Sequence, residues 1–103
     1  MKARLQILQQ ASDCADKLKV LSDPTRLAVL EALRTGPQHV NALMKKLKIE
    51  QSLLSHHLKS LREAGFVQSV RDGKSVLYQL TSAASLKSSG GNIDLGCCQL
   101  SFK

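Results

Sequence analysis

The hydrophobic pattern of this chain changes its period at Gly65, and this change limits the possible folds more than any other feature. Before Gly65, leucines recur every three or four residues, which is the spacing of a helix that buries one face. These leucines are Leu54, Leu58 and Leu61. After Gly65, two short runs with strand character, 66–70 and 75–80, are joined through Asp72-Gly73, a strong hairpin signal. We therefore expect a helix followed at once by a hairpin.

Three further helices are predicted before this unit. Apolar residues at helical spacing begin at Leu5 and end at the break before Asp23 and Pro24, which suit the N-cap and the first position of a second helix. The predicted helices span residues 5–21, 24–34, 40–47 and 51–64. Two short helices joined by a tight turn and followed by a hairpin form a winged helix-turn-helix. The predicted fold class is thus mainly α with a small β-hairpin.

The end of the chain has a different composition. Residues 81–92 are small and polar and include Ser88-Ser89-Gly90-Gly91, which predicts a short helical turn and a flexible linker. Residues 93–102 alternate roughly between apolar and polar, which predicts one extra C-terminal strand. We expect residues 1–80 to hold the DNA-binding unit with an N-terminal dimerisation helix, and residues 81–103 to belong to the same domain.

The charge balance predicts a polyanionic partner. The chain has 15 Lys and Arg against 8 Asp and Glu, a net charge of +7, and such an excess attracts nucleic acid or an acidic membrane surface. Seven of the basic residues and three of the acidic residues lie between His39 and Ser75, where DNA would bind a winged helix. We find no membrane-spanning stretch or signal peptide in the sequence, so a cytoplasmic location with no membrane partner is expected.

Polar and basic side chains on the fourth helix and the hairpin are the candidate DNA contacts. Ser52, Ser55, His56 and Lys59 share one stripe of the helix, opposite its leucines. The full candidate set is Gln51, Ser52, Ser55, His56, Lys59, Arg71 and Lys74. Each residue alone is more typical of a solvated surface than of a binding site. Their order and spacing favour binding to double-stranded DNA.

Three segments of the chain closely resemble the ArsR/SmtB family. They are Leu21-Ser22-Asp23-Pro24-Thr25-Arg26-Leu27, then residues 55–67 (SHHLKSLREAGFV), and the hairpin 71–78 (RDGKSVLY). The resemblance implies a homodimeric bacterial repressor that binds a dyad-symmetric operator and leaves it on binding a metal or metalloid or on thiol oxidation. It also implies that Gln51, Ser52, Ser55 and His56 contact the operator bases and that Arg71 and Lys74 contact DNA from the hairpin. It assigns Arg26 to a structural ion pair or to a phosphate contact.

The known sensory sites of that family have no counterpart here, but three cysteines remain. As a default, cysteines in a cytosolic chain are expected to be reduced thiols. Three thiolates from Cys14, Cys97 and Cys98 would suit As(III) or another thiophilic metal ion, which could release the repressor from DNA. Neighbouring residues of a strand point to opposite faces, which argues against chelation by Cys97 and Cys98 unless Gly96 introduces a bulge.

Two other interpretations of the cysteines stay open, and so do two other classes of function. The cysteines could pack as small hydrophobic residues, or Cys14 could form a reversible disulfide with Cys97 or Cys98. The regulator would then be a thiol switch, or would have no small-molecule inducer. A redox enzyme is disfavoured because the Cys-x-x-Cys spacing is missing from the sequence. A module that binds only protein is disfavoured because the basic face is retained.

Overall fold

The computed structural model describes residues 2–81 and 92–101. Within these residues the chain forms four helices and five strands, and the four helices and the hairpin after the fourth helix follow the predicted order, so the winged helix-turn-helix fold is confirmed. The helices are α1 (Lys2–Leu21), α2 (Pro24–Leu33), α3 (Val40–Leu47) and α4 (Gln51–Glu63). The strands are β1 (Gln38–His39), β2 (Val67–Asp72), β3 (Ser75–Leu80), β4 (Asn92–Asp94) and β5 (Gln99–Ser101). The linker predicted from composition falls mostly on residues 82–91, which lie outside the described residues.

The start of α2 is determined by local chemistry that the sequence displays. Asp23 adopts an extended backbone conformation and its Oδ1 accepts hydrogen bonds from the N–H groups of Thr25 (2.8 Å) and Arg26 (3.1 Å). The bond from Arg26 is the main reason that the pKa of the Asp23 carboxyl lies below its ordinary value. Pro24 is the first helical residue, where a missing N–H costs nothing. The predicted N-cap is confirmed.

The core of the domain is aliphatic and lies between the helices and the sheet. Leu54, Leu58 and Leu61 of α4 are all buried, as the leucine spacing predicted. They join buried apolar residues of α2, α3 and β2 in one cluster, which also includes Val29, Leu30, Leu33, Leu43, Phe66 and Val67. This burial holds α4 by one face and leaves its opposite face available to other molecules.

The β2–β3 hairpin, which we call the wing, has a two-residue connection. Asp72 pairs with Ser75, so Gly73 and Lys74 form the turn, and Gly73 has a φ of 63°. A positive φ at the first central residue suits a tight hairpin, and glycine adopts it without strain. The third strand of this sheet, β1, pairs with β3 at Tyr78 and Leu77. Sequence analysis missed β1 because two residues are too few to show a period.

The single C-terminal strand predicted for residues 93–102 is wrong, because the chain turns back within it. β4 and β5 pair with each other in an antiparallel hairpin, with Asp94 opposite Gln99. The Gly96 N–H donates to Asp94 Oδ1 (2.7 Å), and Gly96 has a φ of 89°, a conformation that residues with side chains rarely adopt. Ile93 and Leu95 are buried and belong to the main core cluster. This C-terminal hairpin therefore packs on the body of the domain.

Candidate nucleic-acid interface

The polar face of α4, defined as Ser52, Ser55, His56 and Lys59, is exposed to solvent along its length. Gln51, the first residue of the helix, is exposed as well. Ser52 Oγ donates to Glu50 Oε1 at 2.8 Å, and Lys59 Nζ lies 4.0 Å from Glu63 Oε1. Both are exposed interactions of small net energy, which a stronger partner can replace. The hydroxyl, imidazole and ammonium groups of this face are thus available to an external partner.

The wing lies beside the N-terminus of α4. Gln51 of α4 and Lys74 of the wing line the same cleft of about 210 Å³, together with Asn41 of α3. Lys74 and Arg71 are both exposed at the tip of the hairpin. Side chains from α3, α4 and the wing therefore converge on one side of the molecule. A long polyanion can contact all three elements together.

His39 contributes to this arrangement and was missed by sequence reasoning. Its Nε2 lies 3.4 Å from Asp72 Oδ2, which connects β1 to the last residue of β2 before the turn. His39 also lines the cleft that Gln51 and Lys74 share. No sequence signal could have identified His39. It lies in a strand of only two residues, and its contact partner, Asp72, is far away along the chain. His39 thus contacts the residue that precedes the turn of the wing.

Arg26 anchors the buried side of α4. Its Nε donates to His57 Nδ1 (3.0 Å), and its two terminal nitrogens donate to Ser60 Oγ and to the Val20 carbonyl oxygen, each at 3.2 Å. His57 is only 7% exposed, so it packs inside the domain beside the buried leucines of α4. Arg26 therefore has a structural role, and its bonds to His57, Ser60 and Val20 are hydrogen bonds and not the ion pair that was one of its two predicted roles.

The three cysteines come together where the turn of the C-terminal hairpin meets α1. Cys14 and Cys97 form a disulfide with a Cα–Cα distance of 6.0 Å, so the expectation of three reduced thiols is not met in this structure. Cys98 is free and exposed. The three sulfur atoms lie within 4.8 Å of one another. We call these residues the thiol cluster.

Lys17 of α1 holds the same turn in place. Its Nζ donates to the Leu95 carbonyl oxygen at 3.0 Å. This bond and the disulfide both join α1 to the hairpin turn, and Ile93 and Leu95 of the hairpin are buried in the core cluster. The positions of the turn and of α1 are therefore coupled.

Among the residues described, we find no helix that combines the length and the hydrophobicity needed to cross a membrane.

A family model and individual proteins that match this chain are all described as bacterial regulators or repressors. The model of the family "Bacterial regulatory protein, arsR family" matches residues 23–69. The HTH-type transcriptional regulator NmtR of Mycobacterium tuberculosis is 42% identical over 72 residues, which are 70% of this chain and 60% of NmtR. The biofilm growth-associated repressor of Xylella fastidiosa is 34% identical over 91 residues, which are 88% of this chain and 80% of that protein.

Solved structures show the same similarity in three dimensions. The crystal structure of the transcriptional repressor BigR from Xylella fastidiosa superposes with a TM-score of 0.74 at 36% identity. The superposition covers 82% of this chain and 83% of the BigR chain. This chain thus matches most of BigR, whereas it spans less than two thirds of NmtR.

Proposed function

Because the chain belongs to the ArsR family of bacterial transcriptional regulators, we propose that it is a homodimeric repressor that binds a dyad-symmetric operator. Members of this family are DNA-binding regulators and not enzymes. We propose that the same holds for this chain, and that it acts in the cytoplasm, where its DNA partner is found. The observation that carries the proposal is the exposed polar face of α4 beside the wing tip.

We infer the orientation of this chain on DNA from the geometry of helix-turn-helix proteins. In this class the second helix of the motif lies in the major groove with its N-terminal residues at the base edges, while the first helix crosses the backbone. Here these helices are α4 and α3. Gln51, Ser52, Ser55 and His56 would form hydrogen bonds with bases, since amide, hydroxyl and imidazole groups match the donors and acceptors of the groove. Lys59 would contact phosphate.

A fluorescence-anisotropy titration with random duplex DNA tests the assignment to DNA. We expect binding at low salt that weakens steeply as salt is raised, because each neutralised phosphate releases a counterion. The titration is repeated at two salt concentrations with the full chain. Failure to bind duplex DNA at the lower salt concentration would contradict the proposal and favour a module that binds only protein.

The wing makes a separate prediction about salt dependence. Replacing Arg71 and Lys74 with Ala should weaken binding to all DNA sequences. Each lost phosphate contact makes the negative slope of log K against log salt less steep by about 0.9, so the slope should become less steep by about 1.8 per protomer. A matched control, Arg4→Gln with Lys19→Gln, removes two exposed charges from α1 and should leave the slope unchanged. Equal slopes for the wing variant and the unaltered protein would exclude the wing from the interface.

The first helix presents an apolar surface that a second copy of the chain would cover. Leu5, Ile7 and Leu8 of α1 are 67%, 65% and 55% exposed, and Leu18 is 42% exposed. Large exposed apolar patches mark interaction sites, and a dimer about a twofold axis is the commonest assembly of identical soluble chains. The two copies of α4 would then reach successive turns of the major groove, which requires a dyad-symmetric operator.

Charged residues on this surface should dissociate the dimer. We expect Leu5→Lys with Leu8→Lys to sediment as a monomer in analytical ultracentrifugation, while the unaltered chain sediments as a dimer. The helical circular dichroism per residue should stay nearly constant, because both side chains are already exposed in the single chain. A variant that remains dimeric would show that another surface holds the two copies together.

A further inference from the structure

We propose that His39 is a positioning residue for DNA binding: its protonated ring neutralises Asp72 at the wing tip, so that binding DNA takes up a proton. Nε2 of His39 lies 3.4 Å from Asp72 Oδ2, and the two side chains are 43% and 62% exposed. Both groups are therefore accessible to protons and to a bound duplex. The inference rests on the proposed function, and it adds to that function a residue outside the candidate DNA contacts and a dependence on pH.

Asp72 is an acidic side chain among the basic side chains of the wing tip. It follows Arg71 and pairs with Ser75 across the turn that Gly73 and Lys74 form. An Asp-Gly sequence favours a tight hairpin turn. The same carboxylate repels the DNA phosphates that Arg71 and Lys74 would attract. The residue that suits the turn thus opposes the proposed partner unless a positive charge lies beside it.

The register of the sheet places His39 next to this carboxylate. His39 of β1 lies opposite Leu77 of β3. Asp72 of β2 lies opposite Ser75, which is two residues before Leu77 on β3. Because alternate residues of a strand share one face of the sheet, and paired residues point to the same face, His39 can reach Asp72 over β3. The other ring nitrogen, Nδ1, is buried and has no hydrogen-bond partner among the described residues, so Asp72 is the polar partner that this part of the chain gives to the ring.

The charged groups around the imidazole come from the wing. Lys74 lines the same cleft as His39, and the other side chains of that cleft are neutral. The first turn of α3 carries no charge, and its lysines lie in its last turn. Glu50, which precedes α4, accepts a hydrogen bond from a serine of that helix, and Tyr78 of β3 lies on the opposite face of the sheet from His39. Lys74 and Asp72 therefore balance in sign, and a phosphate bound at the wing would add a negative charge that favours the imidazolium form.

Protonation of His39 and binding of DNA should therefore favour each other. In the neutral form the Nε2 hydrogen bonds to Asp72 and the carboxylate keeps its charge, whereas in the imidazolium form the pair has no net charge. Histidine is the type of side chain whose charge ordinarily changes between pH 5 and 8. Since DNA favours the proton, the proton favours DNA by the same factor, and the affinity should rise as the pH falls. One proton taken up per protomer changes the affinity by up to about tenfold per pH unit.

Anisotropy titrations of the full chain with a random duplex at pH 6 and at pH 8, at one low salt concentration, test the inference. We expect the unaltered protein to bind more tightly at pH 6. His39→Gln keeps a neutral donor but cannot gain a charge, so it should reduce the ratio of the affinities at pH 6 and pH 8 by at least about fivefold. Asp72→Asn in the His39→Gln chain should restore the affinity at pH 6, because no carboxylate then remains to be neutralised. Gln38→Ala in β1 is the control and should keep the original ratio.

The outcomes separate this inference from the function on which it rests. His56 can also take up a proton, but every variant retains it, so differences between the variants report His39. An unchanged ratio in His39→Gln, or no recovery in the double variant, would overturn the inference and leave the proposed function intact. Failure of the unaltered protein to bind the duplex at both pH values would reject the proposed function, and the inference with it. Circular dichroism verifies that each variant retains its fold, which is expected because an exposed ion pair adds little stability.

Discussion

Replacing both Ser55 and His56 with Ala is expected to reduce the affinity for the operator to that for random DNA. Both side chains lie on the exposed polar face of α4, in the part of the helix that enters the major groove in proteins of this fold. A good contact to a base contributes about 1–3 kcal/mol of discrimination, and a dimer would lose four such contacts. The loss of specific affinity should therefore be at least about a hundredfold.

The measurement compares a selected operator with a random duplex. The operator is obtained by in vitro selection from a random-sequence library with the unaltered protein, and both duplexes are then titrated at one fixed salt concentration. Gln6→Ala, an exposed polar residue on α1, is the control and should keep full specificity. The contradicting result is a ratio of the affinities for the selected operator and the random duplex that is the same in the Ser55/His56 variant as in the unaltered protein. That result would show that Ser55 and His56 do not recognise the bases.

Leu54→Ala should cause a large loss of stability. Leu54 is fully buried in the cluster that holds the helix to the domain. Truncation of a buried leucine removes transfer free energy and leaves a cavity, at a total cost of about 2–5 kcal/mol. Since a domain is typically stable by about 5–15 kcal/mol, this is a large fraction of the total. The melting temperature should fall by about 10–30 °C.

The neighbouring residue provides the control for this experiment. Leu53 has the same side chain but is 45% exposed, so Leu53→Ala should lower the melting temperature far less. Both variants are compared at one protein concentration and one reductant concentration, because association and the disulfide also affect stability. An equal fall in melting temperature for the two variants would mean that α4 does not pack on the domain through its leucine face.

The four helices and the wing could be predicted because their signals are local. The leucine spacing of α4, the Asp23-Pro24 start of α2 and the Asp72-Gly73 turn are each contained within a few residues. The exposed polar face of α4 follows from the same spacing, since the side opposite a buried stripe faces outward. The DNA contacts assigned to that face remain predictions.

The C-terminal features could not be predicted because they depend on contacts between distant residues. The alternation of residues 93–102 concealed a turn at Gly96, and the short runs on either side cannot reveal their pairing. Cys14 and Cys97 are 83 positions apart, so sequence alone left open whether they meet. The contact of His39 with Asp72 likewise depends on the register of the sheet. The thiol cluster therefore becomes visible only in the folded chain.

Amide chemical-shift mapping of the protein during titration with duplex DNA tests the central claim most directly. We predict that the largest changes occur at residues 51–59 of α4 and at residues 71–74 of the wing tip, with smaller changes at the start of α3. Addition of salt should reverse them together, because they report one phosphate-dependent complex. Changes confined to α1 or to the C-terminal hairpin, with the polar face of α4 unaffected, would contradict the account.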